Sequence, residues 1–431
     1  MRAIINKIHK LNGIVVVPGS KSQTIRGLIL ALLAKGQSSI ENFLDCEDTK
    51  TTLKVCKLLG ANGKLTTTKI IIQSKGLPLR SIINKVNTGN SGITTRFILP
   101  VLGLRKNFND PIVFDCKKQM RQRPIASLVN VLNSLGMRIS YMGKKDNCPL
   151  LVRGRLLGGK AEVAGNTSQY LSALLLSLPL APKNSEIRVK NLRERPYVNM
   201  TLKWLKDLNI KYSVKRIKNV DIYTIKGGQN YKPFKKVIPG DFSSASCLLA
   251  AACLIPGTVV LKGLDVNDAQ GDKKLLEILK KMGAELKISK NQILVKGGHK
   301  LKSLDINASD IPDLLPALAV IGTKAEGKTK IYNVPQARIK ETDRIKSMLE
   351  GLRRMKAKTI EHKDGLTIYS GKLNGAVVKG FKDHRTVMAM SVAAMLAEGR
   401  TVITNAESIN KTFPQFYAIL KTLGADIKLT I

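Results

Sequence analysis

The sequence predicts an α/β fold assembled from six copies of one unit, on three observations. Its 431 residues, 43% of them hydrophobic, are enough for two or three domains with filled cores. A helical pattern that ends in a small or polar stop and runs into a short strand recurs six times, with stops at Gly60, Gly136, Asn209, Gly283, Lys356 and Gly424. A second kind of helix opens from a Gly, Ser, Asn or Asp loop into small apolar residues, with markers at Ser22, Gly92, Ser168, Ser244, Asp313 and Arg385. Steps of 76, 73, 74, 73 and 68 residues in the first register, and of 70, 76, 76, 69 and 72 in the second, agree on six units.

The first helix is read from its stripe. One, four and seven residues before each stop stand apolar side chains, as in Leu59, Cys56 and Leu53 or Met282, Leu279 and Leu276, and that spacing lines one helix face. Four of the six stops are Gly, which suits the left-handed conformation that closes many helices. The strands that follow, such as residues 285–288 and 426–429, alternate polar with apolar as half-buried strands do.

The second helix is read from its body. Stretches such as Leu248-Leu249-Ala250-Ala251-Ala252 and Met388-Ala389-Met390 are apolar all round, so these helices belong in the interior. A buried helix that starts at a Gly/Ser loop offers free N–H groups and a dipole to an anion. For any one loop an ordinary cap explains the same residues. The loops that also carry Lys, Arg, Asp and His point further.

Lys and Arg number 72 against 31 Asp and Glu, a net charge of +41, so the partners expected are anionic: nucleic acid, a membrane surface or phosphorylated metabolites. Nine Phe, nine Tyr and one Trp leave few rings for stacking bases, and no dense basic run appears, which weighs against nucleic acid. Cys46, Cys56, Cys116, Cys148, Cys247 and Cys253 show no C-x-x-C spacing and only four His accompany them, so buried reduced thiols are expected and no metal. The start, Met1 to Pro18, is too charged and too strand-like for a signal peptide, and no apolar run approaches the ~20 residues of a membrane span. The expectation is a soluble cytoplasmic protein, with a monomer as the default.

Several strings carry a resemblance: Pro18-Gly19-Ser20-Lys21-Ser22 with Arg26, Gly89-Asn90-Ser91-Gly92 with Arg96, Arg121-Gln122-Arg123-Pro124, Ser168-Gln169-Tyr170, Ile311-Pro312-Asp313, Lys340-Glu341-Thr342-Asp343-Arg344, Asp383-His384-Arg385 and Lys411-Thr412-Phe413-Pro414. In that order, from residue 18 to residue 414, they resemble the 5-enolpyruvylshikimate-3-phosphate synthases. The resemblance implies two similar domains, each of three βαβαββ repeats in an inverted, barrel-like α/β arrangement, with the active site in the interdomain cleft. The crossings are expected near Gly19 and Pro239-Gly240, dividing the chain into 1–19 with 240–431 and into 20–239.

It also implies a reaction. The 5-hydroxyl of shikimate 3-phosphate attacks C2 of phosphoenolpyruvate, C3 is protonated, and phosphate leaves a tetrahedral intermediate. By resemblance, phosphoenolpyruvate is held by Lys21, Asn90, Gly92, Arg123, Gln169, Arg344, His384, Arg385 and Lys411. Shikimate 3-phosphate is held by Lys21, Ser22, Arg26, Thr167, Ser168, Gln169, Tyr197, Asp313, Gln336 and Lys340. Two phosphates and two carboxylates need this much positive charge, with Arg suited to bidentate contacts. Asp313 is expected as base at the hydroxyl, Glu341 as acid at C3, and Lys21 as proton donor to the leaving phosphate. No cofactor or metal is expected.

Three positions depart from the family pattern. Ile93 stands where Thr is usual, Glu194 where Ser is common near the shikimate phosphate, and Gln336 where Asn is common. Ile93 carries no hydrogen-bond donor, so weaker inhibition by glyphosate is expected. The nearest rival, UDP-N-acetylglucosamine enolpyruvyltransferase, has a loop cysteine five residues before an Arg-Pro pair. Here that position is Lys118, and Cys116 falls two residues too early.

Overall fold

The computed structural model describes residues 1–79 and 83–431. The chain divides into two compact units, Met1–Ser20 with Pro239–Ile431, and Lys21–Ile238, so each expected boundary is shifted by one residue. The shift has a local cause. Gly19 and Gly240 form an antiparallel bridge, and Ser20 N–H donates to Pro239 O at 2.8 Å while Asp241 N–H donates to Pro18 O at 2.9 Å. Ser20 and Pro239 are thereby laddered into the first unit.

Six four-stranded sheets carry the fold among the described residues, three in each unit, and all share one order: a parallel pair followed by two antiparallel neighbours. Lys85–Asn87 runs parallel to Ile112–Asp115, which pairs antiparallel with Leu150–Gly154, which pairs antiparallel with Met137–Tyr141. The sheets of Lys160–Ala164 and of Asp305–Asn307 repeat this arrangement with contiguous segments.

The other three units borrow a strand. Gly13–Val16 leads into the helix of the second unit yet pairs with Gly257–Lys262 of the first, whereas Lys235–Val237 pairs with Lys35–Glu41 of the second. Each strand stays with the unit the chain is leaving. Arg2–Ile5 completes the sheet formed by the C-terminal strand Ile427–Thr430 and by Thr401–Thr404.

All six stop residues adopt the left-handed conformation, with φ of 103° at Gly60, 102° at Gly136, 57° at Asn209, 95° at Gly283, 66° at Lys356 and 108° at Gly424. The stripe residues before them are buried, except Leu202 and Leu208, which are partly buried against the same core. Lys356 bears the conformation without glycine's freedom. Lys356→Gly is therefore expected to raise stability by about 1 kcal/mol, read as a shifted denaturation midpoint at unchanged slope.

The second register forms the centre of each unit. Lys21–Leu33, Gly92–Val101 and Ser168–Ser177 are buried almost throughout in the second unit, as are Phe242–Leu254, Leu315–Gly322 and His384–Met395 in the first. One start differs from expectation. Around Asp313 the chain first makes a 3-10 turn, Pro312–Leu314, and becomes α-helical only at Leu315. Among the described residues no helix is long and apolar enough to cross a membrane. All six cysteines are buried and free of disulfides.

Candidate active site

In the first unit one guanidinium collects three carboxylates. Arg344, 1% exposed at the start of helix Arg344–Arg354, donates from Nε to Asp383 Oδ2 at 2.9 Å, from Nη1 to Asp313 Oδ1 at 2.7 Å and from Nη2 to Glu341 Oε2 at 2.6 Å. Arg385 donates from Nη2 to the other oxygen of Asp313 at 2.9 Å and from Nη1 to Ser243 O at 3.0 Å. Lys411 Nζ lies 3.3 Å from Glu341 Oε1.

Helix starts position these groups. Asp383 caps helix His384–Met395 by accepting from the Arg385 and Thr386 amides, and Asp343 caps Arg344–Arg354 by accepting from Lys346. Each cap sets its neighbouring Arg on the first turn, aimed at the cluster. His384, 1% exposed, sits behind with Nδ1 4.0 Å from Asp383 Oδ1. Gln336 donates to Ser309 O at 2.7 Å.

Charge and burial compete at Asp313. Burial opposes its ionisation, but Arg385, Arg344 and Lys340 outweigh it and hold the carboxyl well below the usual carboxylate range. Arg344 in turn is held more firmly protonated: burial works against its charge, and Asp383, Glu341 and Asp313 overcome that.

Asp272 takes the opposite course. Burial first, then the charge of Asp313, pushes its carboxyl up to about 7, against the pull of Arg385 and a hydrogen bond from Ser243 Oγ. A carboxyl harder to ionise in the folded than in the unfolded chain supports the fold at low pH, and that support is lost as pH rises from about 4 through about 7. Asp272→Asn is expected to flatten the decline, which amounts to roughly 4 kcal/mol in full and about 3 kcal/mol between pH 5 and pH 8. Denaturant titrations at pH 5 and pH 8 measure it.

The second unit carries the other half of the predicted residues. Lys21, the first residue of Lys21–Leu33, places Nζ 3.2 Å from Asp48 Oδ2. Arg96 ties the start of its own helix to a second helix start and a loop, donating to Gly92 O at 3.1 Å, Gln169 Oε1 at 3.0 Å and Pro124 O at 3.3 Å, with its guanidinium over the Tyr170 ring. Arg123 lies so close to Gly92 that a methyl group there would stand 2.6 Å from Arg123 Nη1. Ile93, beside Gly92, packs partly buried against the core.

Thr167 caps Ser168–Ser177, and the donors at that helix start already serve a carboxylate. Glu194 Oε2 accepts from Ser168 N–H at 3.0 Å, Ser168 Oγ at 2.9 Å and Thr167 Oγ1 at 3.2 Å.

Within the first unit, Asp313, Glu341, Arg344, Arg385 and Lys411 form one connected cluster, with Lys340 close enough to act on Asp313. Within the second, Gly92, Gln169 and the Arg123-Pro124 loop meet through Arg96, while Asn90 lies one residue before the cap Ser91. Arg26 stands in the second turn of Lys21–Leu33. It is 2% exposed, and its guanidinium donates to Thr201 Oγ1 at 2.8 Å, to Ser22 O at 2.9 Å and to Tyr197 O at 2.9 Å. It braces helix Arg195–Asp207 against Lys21–Leu33. Sequence reasoning gave no role to Asp383, Asp272, Asp48 or Arg96. Asp48 looks like an ordinary first-turn acid, whereas Asp383 stands in one of the strings that carry the resemblance and Arg96, four residues after Gly92, carried a signal as a helix-face neighbour.

Cys116 answers the rival reading. It is buried, and its thiol is pushed up by a hydrogen bond with Cys148 and by burial, the reverse of what activates a nucleophile.

Residues 5–420 match the family model described as EPSP synthase (3-phosphoshikimate 1-carboxyvinyltransferase). The chain is 43% identical over 419 residues to a 3-phosphoshikimate 1-carboxyvinyltransferase of Acetivibrio thermocellus, covering 97% of each chain. It is 42% identical to one of Ruminiclostridium cellulolyticum, over 98% of this chain and 99% of the relative. In fold it is similar to the EPSP synthase of Acinetobacter baumannii, with a TM-score of 0.83, 24% identity and full coverage of both chains.

Proposed function

The chain belongs to the EPSP synthase family and transfers the enolpyruvyl group of phosphoenolpyruvate to the 5-hydroxyl of shikimate 3-phosphate, and we propose how its residues divide that work. The observation that supports the division is the cluster in which Arg344 and Arg385 share Asp313 while Arg344 and Lys411 share Glu341. In the free protein these cations hold Asp313 ionised and weakly basic. Anionic substrates that bind Arg385, Arg344, Lys340 and Lys411 draw those charges toward themselves, and Asp313 then becomes a better base at the moment a hydroxyl is beside it.

Asp313 takes the proton of the 5-hydroxyl as its oxygen bonds to C2, and Glu341 delivers a proton to C3. In the second half the Glu341 carboxylate takes a proton back from C3 as the C2–C3 double bond re-forms, the C2–O bond to phosphate breaks, and Lys21 protonates the departing phosphate, after which solvent exchange returns Lys21 and Asp313 to their starting states. Lys21, Asn90, Gly92, Arg123, Gln169, Arg344, His384, Arg385 and Lys411 serve phosphoenolpyruvate. Lys21, Ser22, Arg26, Thr167, Ser168, Gln169, Tyr197, Asp313, Gln336 and Lys340 serve shikimate 3-phosphate, and Arg26 also holds Ser22 and Tyr197 in place. Both sets have to act on one substrate pair. The same reading takes the enzyme as a cytoplasmic monomer, which sedimentation equilibrium checks for the oligomeric state.

A phosphate-release assay tests the function. Release with phosphoenolpyruvate plus shikimate 3-phosphate, and none with UDP-N-acetylglucosamine as acceptor, is expected. Release with the latter alone would overturn it. Gly92→Ala gives a finer check, since its methyl group has to displace Arg123. The KM for phosphoenolpyruvate is expected to rise about tenfold or more, the loss of roughly one charge-assisted contact. An unchanged KM would remove Arg123 from that pocket.

A further inference from the structure

We propose that Glu194 is a resident competitor for the seat of the acceptor's phosphate group, which the free protein keeps filled with its own carboxylate. The inference rests on the functional reading above, in which Thr167 and Ser168 receive shikimate 3-phosphate.

Three donors converge on a single oxygen. Ser168 N–H, Ser168 Oγ and Thr167 Oγ1 all reach Glu194 Oε2 within 3.2 Å, at the start of the ten-residue buried helix Ser168–Ser177. An oxygen anion with three donors on a helix axis is how a protein holds a phosphate oxygen. Glu194 is 2% exposed and stands in left-handed backbone at φ 56°, just ahead of helix Arg195–Asp207. Its carboxylate is therefore a buried occupant of the cradle rather than a solvated neighbour. The same donors cannot serve a phosphate monoester at the same time, and a dianion beside this carboxylate would be repelled. Binding the acceptor requires Glu194 to leave. The free energy of its three hydrogen bonds is then subtracted from the affinity for every acceptor that carries the phosphate, and from no other ligand.

Titration calorimetry of shikimate 3-phosphate alone, together with steady-state kinetics, separates the outcomes for wild type, Glu194→Gln and Glu194→Ser. Glu194→Gln keeps the shape and an acceptor oxygen for the cap, so it holds the helix start that Glu194→Ser leaves without one; thermal melting verifies both. The affinity for shikimate 3-phosphate is expected to tighten on the order of tenfold, with a matching fall in its KM. The KM for phosphoenolpyruvate and the affinity for unphosphorylated shikimate should stay unchanged. A purely structural cap would lower the melting temperature and leave affinity flat or weaker. Unchanged or weaker binding in a folded Glu194→Gln, with wild-type turnover intact, overturns this inference alone. Absence of phosphate release from wild type overturns the functional reading and this inference with it.

Discussion

Arg344→Met is expected to destabilise the first unit by about 3–5 kcal/mol and to abolish phosphate release. The side chain is fully buried and donates to Asp313, Glu341 and Asp383, so a neutral replacement leaves three carboxylates in the interior without their shared cation. Such groups must either gain protons or draw in water, and both options disrupt the helix starts that Asp383 and Asp343 cap. Arg344→Lys separates charge from geometry. An ammonium keeps the charge but cannot span three acceptors in a plane, so activity should fall steeply while more of the stability survives. Chemical denaturation of both variants measures the first quantity and phosphate release the second. A Met variant within 1 kcal/mol of wild type would show that the cluster is not the electrostatic unit inferred from its geometry.

Asp313→Asn and Glu341→Gln should each lower kcat by about 10²–10⁴-fold, the usual contribution of a positioned acid or base. Both replacements preserve shape and hydrogen-bonding oxygens toward Arg344. Melting temperatures are therefore expected to move far less than for Arg344→Met. The pH profile distinguishes the roles further. Because the cations hold Asp313 ionised in the free enzyme, kcat/KM should show no rise attributable to it across pH 5 to 8, whereas the profile of kcat reports its altered state beside bound substrate. Retention of more than a tenth of kcat in either variant would remove that residue from proton transfer.

Local physics made much of the fold legible. Each helix stop could be found because the left-handed conformation favours Gly and Asn, and because a stripe at spacings of three and four must face a core. The stop at Lys356 was still recognisable, although it lacks the favoured residue, since Met355, Leu352 and Leu349 keep the stripe in register. The borrowed strands were less accessible. Nothing in Gly13–Val16 says that it pairs with Gly257–Lys262, because a short alternating strand suits any edge of similar length.

At the candidate site the residue types were readable and their partners were not. Asp313, Glu341 and Asp383 lie 31, 3 and 39 positions from Arg344, and only Glu341, in the bend just before the cap of Arg344's helix, is a near neighbour along the chain. Arg26 was readable as a candidate contact, but its bond to Thr201, 175 residues along the chain, was not.

The amino-acid sequence by itself determined the six units, the ends of their helices and the faces they bury, since these follow from turn chemistry and periodicity among near neighbours. The tertiary structure alone decided which carboxylates stay ionised, which one fills the cradle at Ser168 and which cation each acid meets. Coulomb attraction and loss of solvent depend on distances between side chains far apart along the chain, and those distances exist only once it has folded.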